Sequence, residues 1–200
     1  MIYLIITTSI CDKYCNVDNY DSRKQLYVHS ISTALNLIQG LNIKPIIVEN
    51  NGFRQTYLDD LGCDVVYTNN NDTKYFHKGV TELLDINYCI DKYNICHDDY
   101  IIKLTGRYTP LSANFFNTVI DNINKYDALI KFMDICQHQY KYNDCVLGFF
   151  SVKCKYLKQF KYDGILPAEV EFATFIRNNV EKDKILEITD LCINCCGKIV

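Results

Sequence analysis

Residues 101–108, IIKLTGRY, are the stretch on which the reading of this chain turns. The first four residues have the apolar character of a buried β-strand, and the chain then passes into Thr105-Gly106-Arg107-Tyr108. A strand that ends in a small residue between a hydroxyl and a guanidinium is either a turn or a seat for phosphate. Glycine admits close approach of the backbone, and guanidinium matches phosphate oxygens in bidentate geometry. The rest of the chain has to separate the two readings.

Working outward, strand-like and helix-like segments alternate. Residues 2–8, IYLIITT, are an apolar run without alternation, the pattern of a strand covered on both faces. Residues 22–39 carry Leu26, Ile31, Leu35 and Ile38 at helical spacing, with Ser22 as expected cap and Gly40 as stop. Strands are expected at 44–50 and 64–68, with a short helix over 54–61 closed by Gly62. Helical spacing returns over 78–93, before the opening stretch. Residues 112–124 predict a helix, 127–133 and 145–153 strands, and 167–180 a helix opened by Pro167. This alternation predicts a three-layer α/β/α sandwich with a mainly parallel, mixed central sheet. One domain over 1–200 is expected, with 181–200 as a C-terminal extension packed on it.

Composition narrows the function. Hydrophobic residues at 48% and charged residues at 22% are ordinary globular values. The net charge of −3 argues against a nucleic-acid partner, which would call for a basic excess. Lysines and aromatics do interleave over 153–162, KCKYLKQFKY, but a strand-to-helix transition with buried aromatics explains that pattern equally well. The N-terminal apolar run is too short for a signal sequence, and no segment approaches the ~18–20 apolar residues of a membrane span. A soluble, cytoplasmic protein in a reducing compartment is expected. Eleven scattered cysteines agree with this. Cys192, Cys195 and Cys196 at one end and Cys11 and Cys15 at the other supply half a zinc site each, and reduced structural thiols are the simpler reading.

In sheets of this kind ligands bind beyond the carboxyl ends of the strands. Those ends carry Thr7, Thr8 and Ser9; Glu49, Asn50, Asn51 and Gly52; Thr68, Asn69 and Asn70; Thr105, Gly106 and Arg107; and Asp134. Hydroxyls and amides can read a nucleoside, and cations can hold phosphate. No GxGxxG, GxxxxGK[ST] or GxSxG loop is present. His29, His77, His97 and His138 are isolated.

The ordered set IYLIITTS, KPIIVENNG, DVVYTNN, HKGVTELLDI, DDYIIKLTGRY, DALIKFMDI, DCVLGFFSVKCKYL and PAEVEFATFIR resembles nucleotide-diphospho-sugar transferases of the glycosyltransferase-A fold. Within these it is most similar to the small GRY-containing glycosyltransferase-like proteins of large DNA viruses and some microbes. KLTGRY is the sharpest piece, and the similarity spans about residues 2–180. The resemblance implies transfer of a sugar from a nucleotide-sugar donor to a glycan, protein or small-molecule hydroxyl. It implies donor contacts from Thr7, Thr8, Ser9, Arg23, Glu49, Asn50, Asn69, Lys78, Lys103, Thr105, Gly106 and Arg107. Glu169 is the first candidate for the base, with Glu171 second and Asp134 in reserve. A single base points most simply to inversion.

Members of the fold usually bind Mg2+ or Mn2+ through a DxD at the end of the central strand. Here Thr105-Gly106-Arg107 occupies that end, while Asp98 and Asp99 lie roughly 15–20 Å away at strand rise. The expectation is a leaving diphosphate held by Arg107 with Lys78 or Lys103, without a resident cofactor, Mn2+ or Mg2+ staying admissible. A homodimer or another partner would help a chain of this size to bind its acceptor. Two rivals stand beside this reading. One is a catalytically inactive module on the same fold that binds a nucleotide, glycan or protein. The other is a nucleotidyltransferase, which the missing glycine-rich first loop disfavours.

Overall fold

The structure is a computed structural model that describes residues 1–11, 20–52, 54–71, 77–162, 164–195 and 197–200; for Tyr20 only the backbone is described. A seven-stranded sheet forms the centre. Its strands are β1 (Ile2–Thr8), β2 (Ile43–Glu49), β3 (Asp64–Tyr67), β4 (Tyr100–Thr105), β6 (Ala128–Ile130), β7 (Phe149–Lys153) and β8 (Ile185–Glu187), in the order β3-β2-β1-β4-β7-β6-β8. The first four strands are parallel, β7 runs antiparallel to β4 and β6, and β8 is parallel to β6. The mixed, mainly parallel sheet expected from the sequence is therefore present.

Alternation along the strands builds two cores. Leu4, Ile6, Ile102 and Leu104 face α1 (Tyr20–Leu37) and α3 (Asn114–Asn122) through Ile31, Ala34, Phe116 and Val119. Tyr3, Ile5, Ile101 and Phe150 face α2 (Lys78–Lys92), α4 (Cys154–Gln159) and α5 (Ala168–Asn179) through Ile86, Leu157, Phe172 and Ile176. All seven residues of β1 are buried because both faces of the sheet are covered. At roughly 1.5–3 kcal/mol per fully buried aliphatic or aromatic side chain, these two layers dominate the stability.

Several boundaries differ from the sequence expectation. α1 starts at Tyr20, which puts Ser22 inside the first turn, exposed, instead of at the cap. The turn before β3 is a 3₁₀ helix, Tyr57–Leu61, capped by Thr56 and stopped by Gly62 at φ 81°. β6 and β7 are shorter than expected because residues 131–148 leave the sheet. That excursion is tied back by Met133 N–H to the Asp144 carbonyl and Val146 N–H to the Lys131 carbonyl. The last residues add β8 and a small antiparallel sheet, in which β9 (Ile193–Cys195) joins β5 (Thr109–Pro110) to β10 (Lys198–Ile199).

Tyr156 and Phe160 of the lysine-aromatic stretch are buried. Lys153 and Lys155 pair with Asp127, and Lys158 with Asp91. The strand-to-helix reading thus describes that segment. Cys89, Cys145 and Cys154 are buried thiols, as expected. Of the cysteines weighed for zinc, Cys15 and Cys196 lie outside the described residues. Among the described residues no helix is long and apolar enough to cross a membrane, and no three His, Cys, Asp or Glu side chains are grouped to hold a metal.

Candidate functional site

A polar pocket opens over the carboxyl ends of β1, β2 and β4, lined by Thr7, Thr8, Ser9, Arg23, Asn50 and Asn71 together with Lys78, Glu82, Thr105 and Arg107. Lys78, Glu82, Thr105 and Arg107 also border an adjoining cleft of about 310 Å³ that runs on to Tyr108, Gly148 and Glu169. Cleft and pocket thus form one trough across the sheet edge.

Local chemistry fixes its floor. Gly106 donates its N–H to the Thr7 carbonyl at 2.9 Å, which locks the exit of β4 onto the exit of β1. A Cβ there would lie 2.9 Å from Thr8 Cγ2 and 3.0 Å from Tyr27 Cδ1, so only glycine fits. The turn closes with Tyr108 N–H donating to the Thr105 carbonyl at 2.8 Å, and Arg107 is delivered to the trough. Beside it, Lys103 is 2% exposed and donates to Glu82 Oε2 at 3.2 Å and Thr105 Oγ1 at 2.5 Å. Thr7 Oγ1 donates to the other Glu82 oxygen at 3.0 Å. The Lys103 charge is therefore largely met by Glu82, whereas Arg23, Lys78 and Arg107 bring further cations to the same space.

The loop after β1 is latched by side chains. Ser9 N–H donates to Tyr27 Oη at 3.0 Å, Ile10 N–H to the Glu49 carboxylate at 3.1 Å and Cys11 N–H to Asn51 Oδ1 at 2.9 Å. These three backbone donors are occupied internally, unlike those of a phosphate-cradling loop. Arg23 Nε donates to the Ser9 carbonyl at 2.8 Å and its guanidinium lies over the Tyr27 ring, so its place in the pocket is held from two sides.

Not every residue singled out in the sequence borders the trough. Glu49 is 0% exposed and accepts from Thr8 Oγ1 at 2.7 Å and from the Ile10 and Asn51 amides. Burial pushes its carboxyl above the ordinary range, against those hydrogen bonds. It organises the loop and does not line the pocket. Asn69 is exposed on the loop after β3, and Asn71 lines the pocket instead. Glu171 turns back to accept the Leu166 N–H at 2.8 Å. Asp134 closes its own turn by accepting from the Cys136 and Gln137 amides, which hold its carboxyl below the ordinary range. It sits on the excursion, outside the trough lining. Glu169, in the first turn of α5, does border the cleft.

The sequence reading did not name Tyr27, Asn71, Thr81 or Glu82, all of which line the pocket. Thr81 and Glu82 follow Lys78 by three and four positions on α2, a helical spacing that places them on one face and could have flagged them.

Chemically, the trough can hold an elongated polyanion. Among the described residues, four cationic side chains face two carboxylates, Glu82 and Glu169. Those carboxylates do not make a Mg2+ or Mn2+ cage of the usual oxygen-rich kind, since Glu82 is engaged by Lys103 and Glu169 stands on another element.

No protein-family profile and no curated protein matches the sequence. Solved structures do match in fold. A Desulfovibrio desulfuricans G20 protein described as a nucleotide-diphospho-sugar transferase aligns over 94% of this chain and 79% of its own, with TM-score 0.58 and 11% identity. A Pyrobaculum calidifontis mannosyltransferase, solved with GDP-Man and Mn2+, aligns over 95% of this chain at TM-score 0.56 and 9% identity. This chain covers 55% of it. A cytidylyltransferase of Leptospira borgpetersenii aligns over 94% of this chain and 75% of its own, with TM-score 0.53 and 13% identity. The fold is thus that of nucleotide-sugar transferases and cytidylyltransferases.

Proposed function

We propose that the protein is a glycosyltransferase that moves a sugar from a nucleotide-diphospho-sugar to an acceptor hydroxyl. The observation that carries this is the convergence of Arg23, Lys78 and Arg107 on one trough over the strand ends, with hydroxyls and amides at its β2 end and Glu169 across the cleft. A diphosphate would lie against Arg107 and Lys78, and the nucleoside would extend toward Thr8, Ser9, Asn50 and Asn71.

In the reaction the acceptor hydroxyl attacks the anomeric carbon, the bond from that carbon to the diphosphate oxygen breaks, and the bonding pair leaves with the diphosphate. Arg107 and Lys78 would stabilise that departing charge by pre-placed electrostatics. Glu169, in the first turn of α5 and on the border of the cleft, would take the hydroxyl proton. Direct attack with one base gives inversion. A divalent ion, where bound, would share the diphosphate charge with the cations. The donor set at the end of β4 favours a reaction that runs without one.

Cytidylyltransferases share the sheet, but the occupied amides of residues 9–11 count against that reading. The test is release of nucleoside diphosphate from UDP- and GDP-sugars, with EDTA or with Mn2+, by the wild type and by Arg107→Ala. Release that survives EDTA and is lost in the variant, at unchanged melting temperature, supports the proposal. Nucleotide binding without release would make the protein a recognition module, and release only with Mn2+ would refute metal independence.

A further inference from the structure

The transfer chemistry leaves Asp85 unused, although it is a fully buried carboxylate two turns into α2. It accepts from Thr68 Oγ1 at 2.6 Å and Asn70 Nδ2 at 2.8 Å through one oxygen, and from Asn50 Nδ2 at 3.0 Å through the other. An ionised carboxylate only accepts, so it can engage only the NH2 end of the Asn50 amide. That fixes which way the amide faces. The opposite end, Asn50 Oδ1, is buried without a hydrogen-bond partner, on a residue that is 4% exposed and lines the pocket. A buried acceptor left unpaired costs free energy that a ligand donor would recover.

Position says what reaches it. Asn50 follows β2 and Arg107 lies just beyond β4, with β1 between them. Two interstrand spacings separate the two sites by roughly 10 Å. A diphosphate at Arg107 and Lys78 therefore leaves the nucleoside end of the ligand beside Asn50.

We infer that Asp85 is a positioning residue that presents Asn50 Oδ1 as a fixed acceptor for the ring N–H of an imide nucleobase, so that the pocket selects uracil and guanine nucleotides over cytosine and adenine ones. The inference rests on the nucleotide-sugar reading above. Uracil and guanine carry a ring N–H on the edge they would turn to Asn50. Cytosine and adenine carry a lone pair at the matching nitrogen, which would face the Asn50 oxygen acceptor to acceptor. Their exocyclic amines reach that oxygen only if the ring slides along the wall, out of line with phosphates held at Arg107. A site built around one buried polar atom discriminates strongly, because the wrong partner leaves that atom unpaired.

Calorimetric titration of UDP, GDP, CDP and ADP against the wild type, Asp85→Asn and Asn50→Ala tests this. The wild type should bind UDP or GDP about tenfold or more tightly than CDP and ADP. In Asp85→Asn the new amide can offer its own NH2 to Asn50, which then turns its NH2 to the pocket, and the preference should vanish or reverse. If Asp85→Asn does not fold, Asn50→Ala still decides the matter, since without the acceptor all four nucleotides should bind alike. Equal wild-type affinities, a wild-type preference for CDP or ADP, or a preference unchanged in the folded variants would overturn the inference while leaving the transferase reading in place. No binding by any of the four would overturn the transferase reading itself, and this inference with it.

Discussion

Replacing Asp85 with asparagine should change how stability responds to acid, and the size of the change follows from burial. Aspartate in an unfolded chain titrates near 3.8, and desolvation pushes Asp85 up to about 6 in the folded protein despite its three hydrogen-bond donors. Glu82 raises it further, and the Cys89 thiol, itself pushed up to about 12, faces it uncharged on the same helix. Between these two pH values the native state binds a proton that the unfolded state does not. Stability contributed by Asp85 therefore falls as pH rises from about 4 through 6, and is regained on acidification. At 1.36 kcal/mol per pH unit the full span is about 3 kcal/mol, of which about 2 should be recovered by pH 4. Asparagine has no proton to bind. Urea unfolding of wild type and Asp85→Asn at pH 7 and pH 4, compared as a difference of differences, cancels every other titrating group. The wild type should gain about 2 kcal/mol on the variant between the two pH values. A difference that stays flat to within about 0.5 kcal/mol, or moves the other way, would refute the claim that desolvation governs this carboxyl.

Two further substitutions probe the trough. A Cβ on Gly148 would lie 1.9 Å from Tyr108 Cε2, so Gly148→Ala must displace the ring. It should cost about 1–3 kcal/mol of stability and lower the melting temperature by several degrees, and an unchanged melting curve would contradict the packing described. For Glu169→Gln, turnover of a nucleotide sugar should drop by about a hundredfold or more while nucleoside diphosphate affinity holds. Retained turnover would remove Glu169 as the base.

The parts of the fold legible in the sequence are those where one physical cause dominates. β1 and β2 are apolar runs that only a doubly covered sheet can bury, and Gly62 ends its 3₁₀ turn because a left-handed residue is needed there. β8 and β9 are three-residue strands whose partners β6 and β5 lie far away in the chain, and β10 is only two residues turned back onto β9, so no local pattern of useful length announces them. The trough was partly legible by the same logic. Thr7, Thr8, Ser9 and Arg107 follow from where strands end, which the apolar pattern reveals. Glu49 has the look of a pocket residue until Thr8 and Ile10, some forty positions earlier, fold over its carboxylate. Asn69 and Asn71 differ only by the register of a loop, which composition cannot set. Asp85 reads as an ordinary polar helix position, because its partners Asn50, Thr68 and Asn70 come from two other strand ends.

The reversal of direction at β7 has a consequence for how such a protein can diversify. In the parallel half the trough is met by segments leaving strands, whereas at β7 it is met by a segment arriving, so Leu147 and Gly148 form the wall opposite Arg23 and Asn50. The 131–148 excursion feeds that arriving segment, and none of the described residues lining the pocket at the β2 end belongs to it. Lineages could lengthen, shorten or exchange the excursion and redraw the wall at Leu147 and Gly148 while the pocket at the β2 end stayed untouched. Two halves of one trough would then evolve on separate clocks.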